Sequence, residues 1–295
     1  MIFSIHEAII QTNILCKMDK LVTKPPPTPE FLQISFPADR VVLITMNRPE
    51  KLNAITAQAA AEMSVIWPWF DAEPSLSVAI FTGAGNRAFC AGADLNAWAD
   101  RQAGKAPELP IPNKEESRTT VLSRRFGKKP VIAAVNGLAH GGGCEMVINC
   151  DLVVASRTAD FCLPEVKRGV APIGGCMPRL IRTVGLQRAM EAVLTGRRIP
   201  AEEALSWGFV NKIVEQDQVV PEALKMATLI ASHSPDAIIC ARAGVRQAWV
   251  QADVEDAVQT TLETQFAQLQ KSENMLEGLR AFGERRAPRW KPSNL

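Results

Sequence analysis

The chain has 295 residues, 47% hydrophobic and 22% charged, a composition typical of a globular protein rather than a disordered one. Its 33 basic and 31 acidic residues give a net charge of +2, which is too balanced to indicate a nucleic-acid-binding protein. The seven cysteines lie singly and only three histidines are present, which argues against a structural zinc site and favours a reducing compartment. No apolar run approaches the roughly 20 residues of a membrane-spanning helix.

The N-terminal segment differs from the rest of the chain. It ends in PPPTP (25–29), which predicts a linker, and it fits neither a secretory signal nor a mitochondrial transit peptide. Met18 is an alternative start. We therefore predict three regions: an N-terminal extension and proline-rich linker (1–29), an α/β core (30–218) and a helical C-terminal region (219–295).

Short β-branched segments alternate with helical ones through the core. FLQISF (31–36) and RVVLITMN (40–47) predict a hairpin, and 56–70 predicts a helix that Thr56 caps and Pro68 disturbs near its end. The polar, proline-rich stretch 101–114 predicts a surface loop. Further strands are predicted at 78–83, 131–137, 151–156 and 209–214, and C-terminal helices at about 219–232, 236–249, 253–269 and 273–286.

Two glycine-rich turns are the first candidates for a functional site. Gly141 to Gly143 lead into a predicted helix, whose first N–H groups lack intrahelical partners and suit an oxygen that becomes negative during a reaction. The second turn, FTGAGNRAFCAGADL (81–95), has the same character, so each turn could supply one N–H to the same oxygen. Both segments could instead be ordinary glycine turns with no ligand. Asp94 also suits the N-cap of a helix LNAWADRQ.

Two glutamates are candidates for moving protons. Glu145 falls in the first turn of the helix after the glycines, where a carboxylate can orient a water or take its proton. Glu165 lies between Leu163 and Val166, and partial desolvation there would raise its pKa and make it a usable acid near neutral pH. From context alone, an ordinary exposed glutamate is the simpler interpretation of Glu165.

Four segments in this order resemble the crotonase family of enoyl-CoA hydratases and isomerases: NRPEKLNAI (47–55), FTGAGNRAFCAGADL (81–95), KKPVIAAVNGLAHGGGCEMVINCDLVVAS (128–156) and PEVKRGVAPIGG (164–175). EGLRAFGERRAPRW (277–290) is similar to the terminal helix of that family, so the resemblance covers about residues 30 to 290. It implies an α/β, crotonase-like spiral of ββα turns with a C-terminal helical region that forms trimers, often paired into hexamers.

The resemblance also implies a site. The backbone N–H groups of Ala93 and Gly142 would hold the oxygen of an acyl-CoA thioester, and no metal or separate cofactor would be needed. Glu145 and Glu165 match the two glutamates of members that hydrate a double bond, which favours an enoyl-CoA hydratase over an isomerase. Contacts with CoA or the acyl chain are implied for Lys51, Leu52, Ala54, Ala91, Gly92, Asp94 and Leu95, and with a neighbouring subunit's CoA for Phe282 and Arg285.

Several alternatives stay open at this point. HGGG (140–143) is also found in the oxyanion hole of lipases, but the chain has no G-x-S-x-G elbow, which leaves a thioester hydrolase on the same scaffold as the alternative. SRRFGKKP (123–130) could contact RNA or CoA phosphates, although a solvated helix end is the simpler interpretation. His140, Trp98 and Trp207 are interpreted as structural residues.

The pathway and the location of the protein are less constrained. Fatty-acid oxidation, amino-acid breakdown and a secondary-metabolite pathway all remain open. Ser293-Asn294-Leu295 differs by one residue from the peroxisomal S-K-L signal, which suggests a peroxisomal location, with the cytoplasm as the alternative.

Overall fold

A six-stranded sheet runs through the computed structural model, which describes residues 21–105, 115–116 and 121–295. Its strands follow the order β1-β2-β3-β5-β7-β10, in which β1 pairs with β2 antiparallel and every other pair is parallel. The strands are β1 (Leu32–Ala38), β2 (Val41–Met46), β3 (Val78–Gly83), β5 (Val131–Val135), β7 (Leu152–Ser156) and β10 (Lys212–Val214).

A second sheet of four short strands lies beside the first, in the order β4-β6-β8-β9. Strands β4, β6 and β8 are mutually parallel, and β9 closes the sheet antiparallel to β8. Because the chain visits one strand of each sheet before a helical segment, three times in succession, the predicted spiral of ββα turns is confirmed. The four strands are β4 (Ala88–Cys90), β6 (Leu138–His140), β8 (Asp160–Cys162) and β9 (Arg198–Pro200).

Helices surround the two sheets and form the C-terminal region. The helices are α1 (Ala57–Ala72), α2 (Leu95–Gln102), α3 (Gly142–Asn149), α4 (Cys176–Val184), α5 (Leu186–Thr195), α6 (Ala201–Ser206), α7 (Val219–Ala231), α8 (Pro235–Gln247), α9 (Val254–Thr261), α10 (Ala267–Leu269) and α11 (Glu273–Gly283). A π-helical stretch, Leu262–Phe266, joins α9 to α10, and short 3-10 turns include Glu165–Arg168. No described helix is long and apolar enough to cross a bilayer.

The core has two layers because side chains of the central strands alternate between two faces. On one face, Val78 and Ile80 of β3 pack with Ala223 and Ala227 of α7. On the other face, Phe81 meets Trp67 of α1 edge to face, with ring centroids 5.5 Å apart. All six residues of β3 are buried, as a strand covered on both faces requires.

The predicted elements agree with the observed ones except where long-range packing intervenes. The α1 helix starts after its predicted cap Thr56, whose side chain accepts a bond from Ala59, but it continues past Pro68 to Ala72. An internal proline costs about 3 kcal/mol, and here the complete burial of Trp67 and Phe70 on either side offsets that cost. The strand predicted at 209–214 is shorter, since only Lys212–Val214 pairs with β7. Most of the loop predicted at 101–114, and residues 1–20 of the predicted extension, lie outside the described residues.

Two basic residues of segment 123–130, Arg125 and Lys129, are buried, so neither a nucleic-acid patch nor a solvated helix end describes these two residues. Arg125 and Lys129 are 2% and 1% exposed. Arg125 donates to Asp71 Oδ1 at 2.6 Å, and Lys129 Nζ donates to the Phe70 carbonyl at 2.8 Å. Burial lowers the pKa of Lys129 to about 7, with Asp71 opposing the shift. These two cations bind the segment before β5 to the C-terminal end of α1. Only the tertiary structure reveals this role.

The C-terminal residues pack against the helical region. Ser293 is 5% exposed and its hydroxyl donates to Asp236 at the start of α8. The other oxygen of Asp236 accepts a bond from Asn274 Nδ2 of α11 at 2.8 Å. The Leu295 backbone oxygen contacts Lys128 Nζ. The side chain of Ser293 is therefore engaged in holding two helices together, and the peroxisomal location stays a prediction.

The bond between Ser293 and Asp236 gives a test of this packing. Ser293→Ala should lower the melting temperature by about 2–4 °C, because a hydrogen bond to a buried carboxylate contributes about 1 kcal/mol or more. Differential scanning fluorimetry measures the shift. Ser206→Ala, at an exposed serine that bonds only to the Glu203 carbonyl, is the control and should change the temperature little. An equal shift in both variants would contradict the assignment.

Candidate active site

Three turns meet at one edge of the second sheet. Strands β4, β6 and β8 are parallel neighbours, with Cys90 opposite Ala139 and His140 opposite Cys162. The carboxyl ends of these strands therefore lie side by side, which is where α/β sheets place their ligand sites. The turn after β4 carries Ala93, the turn after β6 carries the three glycines and Glu145, and the turn after β8 carries Glu165. The fold thus brings the predicted residues from all three turns to one edge.

The first two turns touch at their glycines. A Cβ built on Gly92 would lie 2.9 Å from the His140 carbonyl oxygen and 3.3 Å from the Gly142 nitrogen. A Cβ built on Gly142 would lie 3.9 Å from the Ala93 nitrogen. Gly92 also has a φ of +92°, which residues with a side chain rarely adopt. Glycine is therefore needed at position 92 for the two backbones to come this close.

The N–H groups of Ala93 and Gly142 are both available for a ligand. Ile55 bonds to the residues on either side of Ala93, through Ile55 N to Gly92 O at 2.8 Å and Asp94 N to Ile55 O at 3.0 Å, so the Ala93 N–H faces away from Ile55. Gly142 is the first residue of α3, and the first N–H groups of a helix have no intrahelical acceptor. Two such donors at the positive end of a helix can stabilise an oxygen on which negative charge develops.

The turn that precedes α4 packs against the Glu145 carboxyl. Glu145 is 7% exposed, and a Cβ on Gly174 would lie 2.5 Å from its Oε2, so a side chain at position 174 would displace the carboxyl. Burial raises the pKa of Glu145, while hydrogen bonds from Cys176 and the Gly174 backbone oppose the shift. The Oε1 atom is buried and has no partner among the described residues. An unpaired, buried carboxyl oxygen with a raised pKa is typical of a group that exchanges protons with a ligand.

Glu165 begins the 3-10 turn Glu165–Arg168 after Pro164. Its Oε1 lies 3.2 Å from the position that a Cβ on Gly141 would take, which places the carboxyl against the glycine turn. Burial raises the pKa of Glu165, the charge of Glu145 raises it further, and His140 opposes both. Its Oε2 is buried without a partner in the described part of the chain. The partial desolvation predicted from the sequence is therefore present.

The segment 51–55 packs alongside the turn after β4, as the predicted substrate contacts require. The Ala91 amide donates to the Leu52 carbonyl at 3.0 Å. Asp94 caps α2 through Ala97, and Arg48 bonds to its other oxygen at 3.1 Å and lowers the pKa of the carboxyl. Lys51, Ala54 and Leu95 belong to the same two segments. Phe282, 86% exposed, and Arg285 lie at the end of α11, and a single chain does not test a contact with a neighbour.

The three residues interpreted as structural have different surroundings. His140 pairs with Asp160 across β6 and β8, and Trp207 is 7% exposed beneath the guanidinium groups of Arg188 and Arg197, so both are structural as predicted. Trp98 differs, because it lines a cavity of about 470 Å³ with Leu95, Ala99, Arg168 and Val170. The interpretation of Trp98 as a core residue is therefore wrong. Trp98 lines the cavity because one face of α2 is open toward the turn after β8.

Four free, buried thiols lie on the elements of the site: Cys144, Cys162 and Cys176 interact with the glutamate carboxyls, and Cys90 ends β4. Burial raises the pKa of Cys90 to about 12, and it also raises the pKa of Cys144, where the charge of Glu165 adds to the effect. These cysteines are therefore protonated at neutral pH. The single, scattered cysteines of the sequence predict thiols that pack as small buried apolar groups. Cys176 also hydrogen-bonds to the Glu145 carboxyl.

The comparison with known families settles the membership of the chain. The family model described as enoyl-CoA hydratase/isomerase matches residues 38–293. The chain belongs to this family. It is similar to the enoyl-CoA hydratase of Mycobacterium tuberculosis H37Rv, with a TM-score of 0.80 and 33% identity over 89% of this chain and 99% of that one. It is also similar to the Bacillus anthracis enzyme, with a TM-score of 0.79 and 33% identity over 90% of this chain and 100% of that one.

The similar curated proteins are named as hydratases or dehydratases. Mevalonyl-coenzyme A hydratase sidH of Aspergillus fumigatus is 46% identical over 274 residues, and SIDH of Beauveria bassiana is 48% identical over 279 residues; each match covers 92% of this chain and 99% of the relative. Carnitinyl-CoA dehydratase of Escherichia coli K12 is 38% identical over 255 residues, 85% of this chain and 95% of the relative. The chain is a hydro-lyase of the crotonase type that acts on CoA thioesters.

The buried Glu145 carboxyl predicts a pH-dependent effect on stability. Because its pKa is higher in the folded than in the unfolded chain, the folded chain binds more protons in the window between the two values, and stability falls as pH rises through that window. Glu145→Gln removes this loss. The melting temperature of the variant relative to the wild type should therefore be higher at pH 8 than at pH 4.

Differential scanning fluorimetry across that pH range measures the difference. Glu202→Gln is the control, because the Glu202 side chain is 60% exposed and pairs with Arg157 at the surface. If the Glu145 variant shows the same offset from wild type at both pH values, burial does not raise the pKa of this carboxyl.

Proposed function

We propose that this protein reversibly adds water across the α,β double bond of a branched acyl-CoA thioester, with mevalonyl-CoA as the first candidate for the hydrated form. The observation that carries the reaction is a pair of glutamates, Glu145 buried and Glu165 half-buried, with raised pKa values beside two backbone N–H groups for which the described residues supply no acceptor. The acyl group is suggested by the two fungal relatives that are named mevalonyl-coenzyme A hydratases. Mevalonyl-CoA is a 3-hydroxyacyl thioester with a methyl group at C3 and a second hydroxyl at C5.

The backbone N–H groups of Ala93 and Gly142 stabilise the charge that the reaction creates. When water attacks the β-carbon, electrons move onto the thioester oxygen and an enolate forms. Donors that are already in place pay no reorganisation free energy during the step, and removing one such donor typically costs about 3–4 kcal/mol of barrier. The positive end of α3 adds to the stabilisation because Gly142 is its first residue.

The two glutamates divide the proton transfers. Glu145 orients the water and takes one proton as the water oxygen bonds to the β-carbon, and Glu165 gives its proton to the α-carbon. The two carboxyls exchange protonation states in the forward step, and dehydration runs the same transfers backwards. The effect of the Glu145 charge on the pKa of Glu165 supports this division, because neighbouring carboxyls with raised pKa values tend to share one proton.

Two alternative reactions use the same scaffold. A double-bond isomerase would need only one acid, whereas both carboxyls here are at least partly desolvated and have raised pKa values. A thioester hydrolase would release free CoA, and hydration leaves the thioester intact. Incubation of the enzyme with 5-hydroxy-3-methylpent-2-enoyl-CoA and crotonyl-CoA, followed by mass spectrometry for a gain of one water, distinguishes hydration from both.

We also propose that the chain assembles as a trimer, or as a hexamer of paired trimers, with Phe282 and Arg285 facing a neighbour's CoA. Large apolar side chains on the C-terminal helices support an assembly, since they are exposed in a single chain: Val245 (78%), Val254 (79%), Leu276 (61%), Leu279 (63%) and Phe282 (86%). Sedimentation velocity should give a particle three or six times the 32.2 kDa chain mass, and a monomer at micromolar concentration would overturn this proposal.

Removal of either glutamate tests the proton transfers. Glu145→Gln and Glu165→Gln should each lower kcat for hydration by about 10²–10⁴-fold, because each deletes a general acid or base while keeping the shape of the side chain. Binding of a saturated acyl-CoA, measured by calorimetry, should change little. Glu202→Gln serves again as the matched surface control. If Glu165→Gln keeps a rate within a few-fold of wild type, its assigned role is wrong.

A further inference from the structure

Among the described residues, one charged group lines the cavity beside the site. Its lining consists of Leu95, Trp98, Ala99 and Val170, which are apolar, and Arg168. Arg168 makes no hydrogen bond or ion pair with any other described residue. Arg168 is exposed, and a guanidinium carries five N–H donors, so these donors are accessible to solvent or to a ligand in the cavity.

Arg168 has a fixed position relative to Glu165. Both residues belong to the 3-10 turn Glu165–Arg168, and the turn is closed by a bond from the Val170 amide to the Glu165 carbonyl at 3.2 Å. Gly169 ends the turn with a φ of +73°. The backbone that carries the cavity cation is therefore the same one that positions the candidate acid.

The neighbouring cation points elsewhere. Lys167 Cε lies 3.2 Å from the position of a Cβ on Gly196, in the connection between α5 and β9. Lys167 is not part of the cavity lining. The two successive basic residues thus provide a natural comparison, because they have equal charge and only Arg168 reaches the cavity.

The place of the cavity relative to the reacting atoms indicates which part of a substrate it receives. Leu95 lies two residues after Ala93, and Arg168 three residues after Glu165, so the cavity lining follows directly in sequence from both turns. On the proposed mechanism the α- and β-carbons lie between these turns, with the oxygen at Ala93. Atoms beyond the β-carbon then enter the cavity, and the CoA portion leaves from the other side of the thioester.

We propose that Arg168 is a specificity-determining residue that selects acyl groups carrying an oxygen at their distal end. This inference rests on the proposed function. A hydroxyl or carboxylate oxygen at the end of a short branched acyl chain accepts a hydrogen bond from the guanidinium, while Trp98 and Val170 contact the carbons. A purely hydrocarbon chain would desolvate the guanidinium without giving it an acceptor, so it binds less well.

Three thioesters with the same branched skeleton test the proposal: 5-hydroxy-3-methylpent-2-enoyl-CoA, 3-methylglutaconyl-CoA with a distal carboxylate, and 3-methylpent-2-enoyl-CoA with no distal oxygen. Wild-type enzyme should have a kcat/KM at least about tenfold higher for one or both oxygen-bearing thioesters than for the hydrocarbon one. Which of the two is preferred identifies the distal group. Arg168→Met should remove that preference and leave the hydrocarbon thioester within a few-fold of its wild-type rate.

Controls separate this inference from the reaction itself. Lys167→Met should leave the preference intact. Dissociation constants for free CoA and for the three saturated analogues, measured by calorimetry, do not depend on turnover. Equal weakening of all four by Arg168→Met would place Arg168 on CoA, and unchanged binding and rates would show that it contacts no part of the substrate; either result overturns the proposal. A wild type that binds the analogues with the expected preference but hydrates none would instead overturn the proposed function.

Discussion

The parallel pairing of three very short strands is the constraint on which the rest of the structure depends. Strands β4, β6 and β8 contribute only three residues each, yet their register sets the carboxyl ends side by side. The backbone at Gly92 can then approach Gly142 closely enough for two amides from different turns to serve one site. A side chain at Gly92 would separate the strands at the point where the amides must meet, so the sheet register and the glycine depend on each other.

The second constraint is the burial of carboxyl groups beside those amides. Glu145 loses contact with water, and the turn at Gly174 and Cys176 restores only part of its hydrogen bonding. Arg125 and Lys129, by contrast, have their partners in place, in Asp71 and in main-chain carbonyls. Buried charge is thus satisfied where it supports the fold and left incompletely satisfied where a ligand has to bind. The incomplete hydrogen bonding of Glu145 lowers the free energy of unfolding locally, and packing elsewhere in the fold offsets this loss.

Local sequence signals predicted much of this arrangement. Thr56 as a cap, β3 at 78–83 and the glycine turns rest on near neighbours in the chain, so propensity and spacing sufficed. The burial of Lys129 could not be predicted, because its acceptor at Phe70 is 59 residues away. The contact of Gly174 with Glu145 and the cavity face of Trp98 likewise depend on turns that meet only in the folded chain. The two glutamates were singled out from their local sequence context and supported by a family resemblance, whereas their pKa shifts follow from the three-dimensional structure.

The protonation state of the buried cysteines determines how readily they react with an electrophile. An α,β-unsaturated thioester is a Michael acceptor, and a thiolate attacks it more readily than water does. Cys90 has a pKa of about 12, and burial together with a nearby carboxylate keeps Cys144 protonated as well. Both sulfurs are therefore present as the weakly nucleophilic thiol. On the proposed function, the low-dielectric surroundings that raise the pKa values of the glutamates also protect these cysteines from alkylation by an unsaturated thioester.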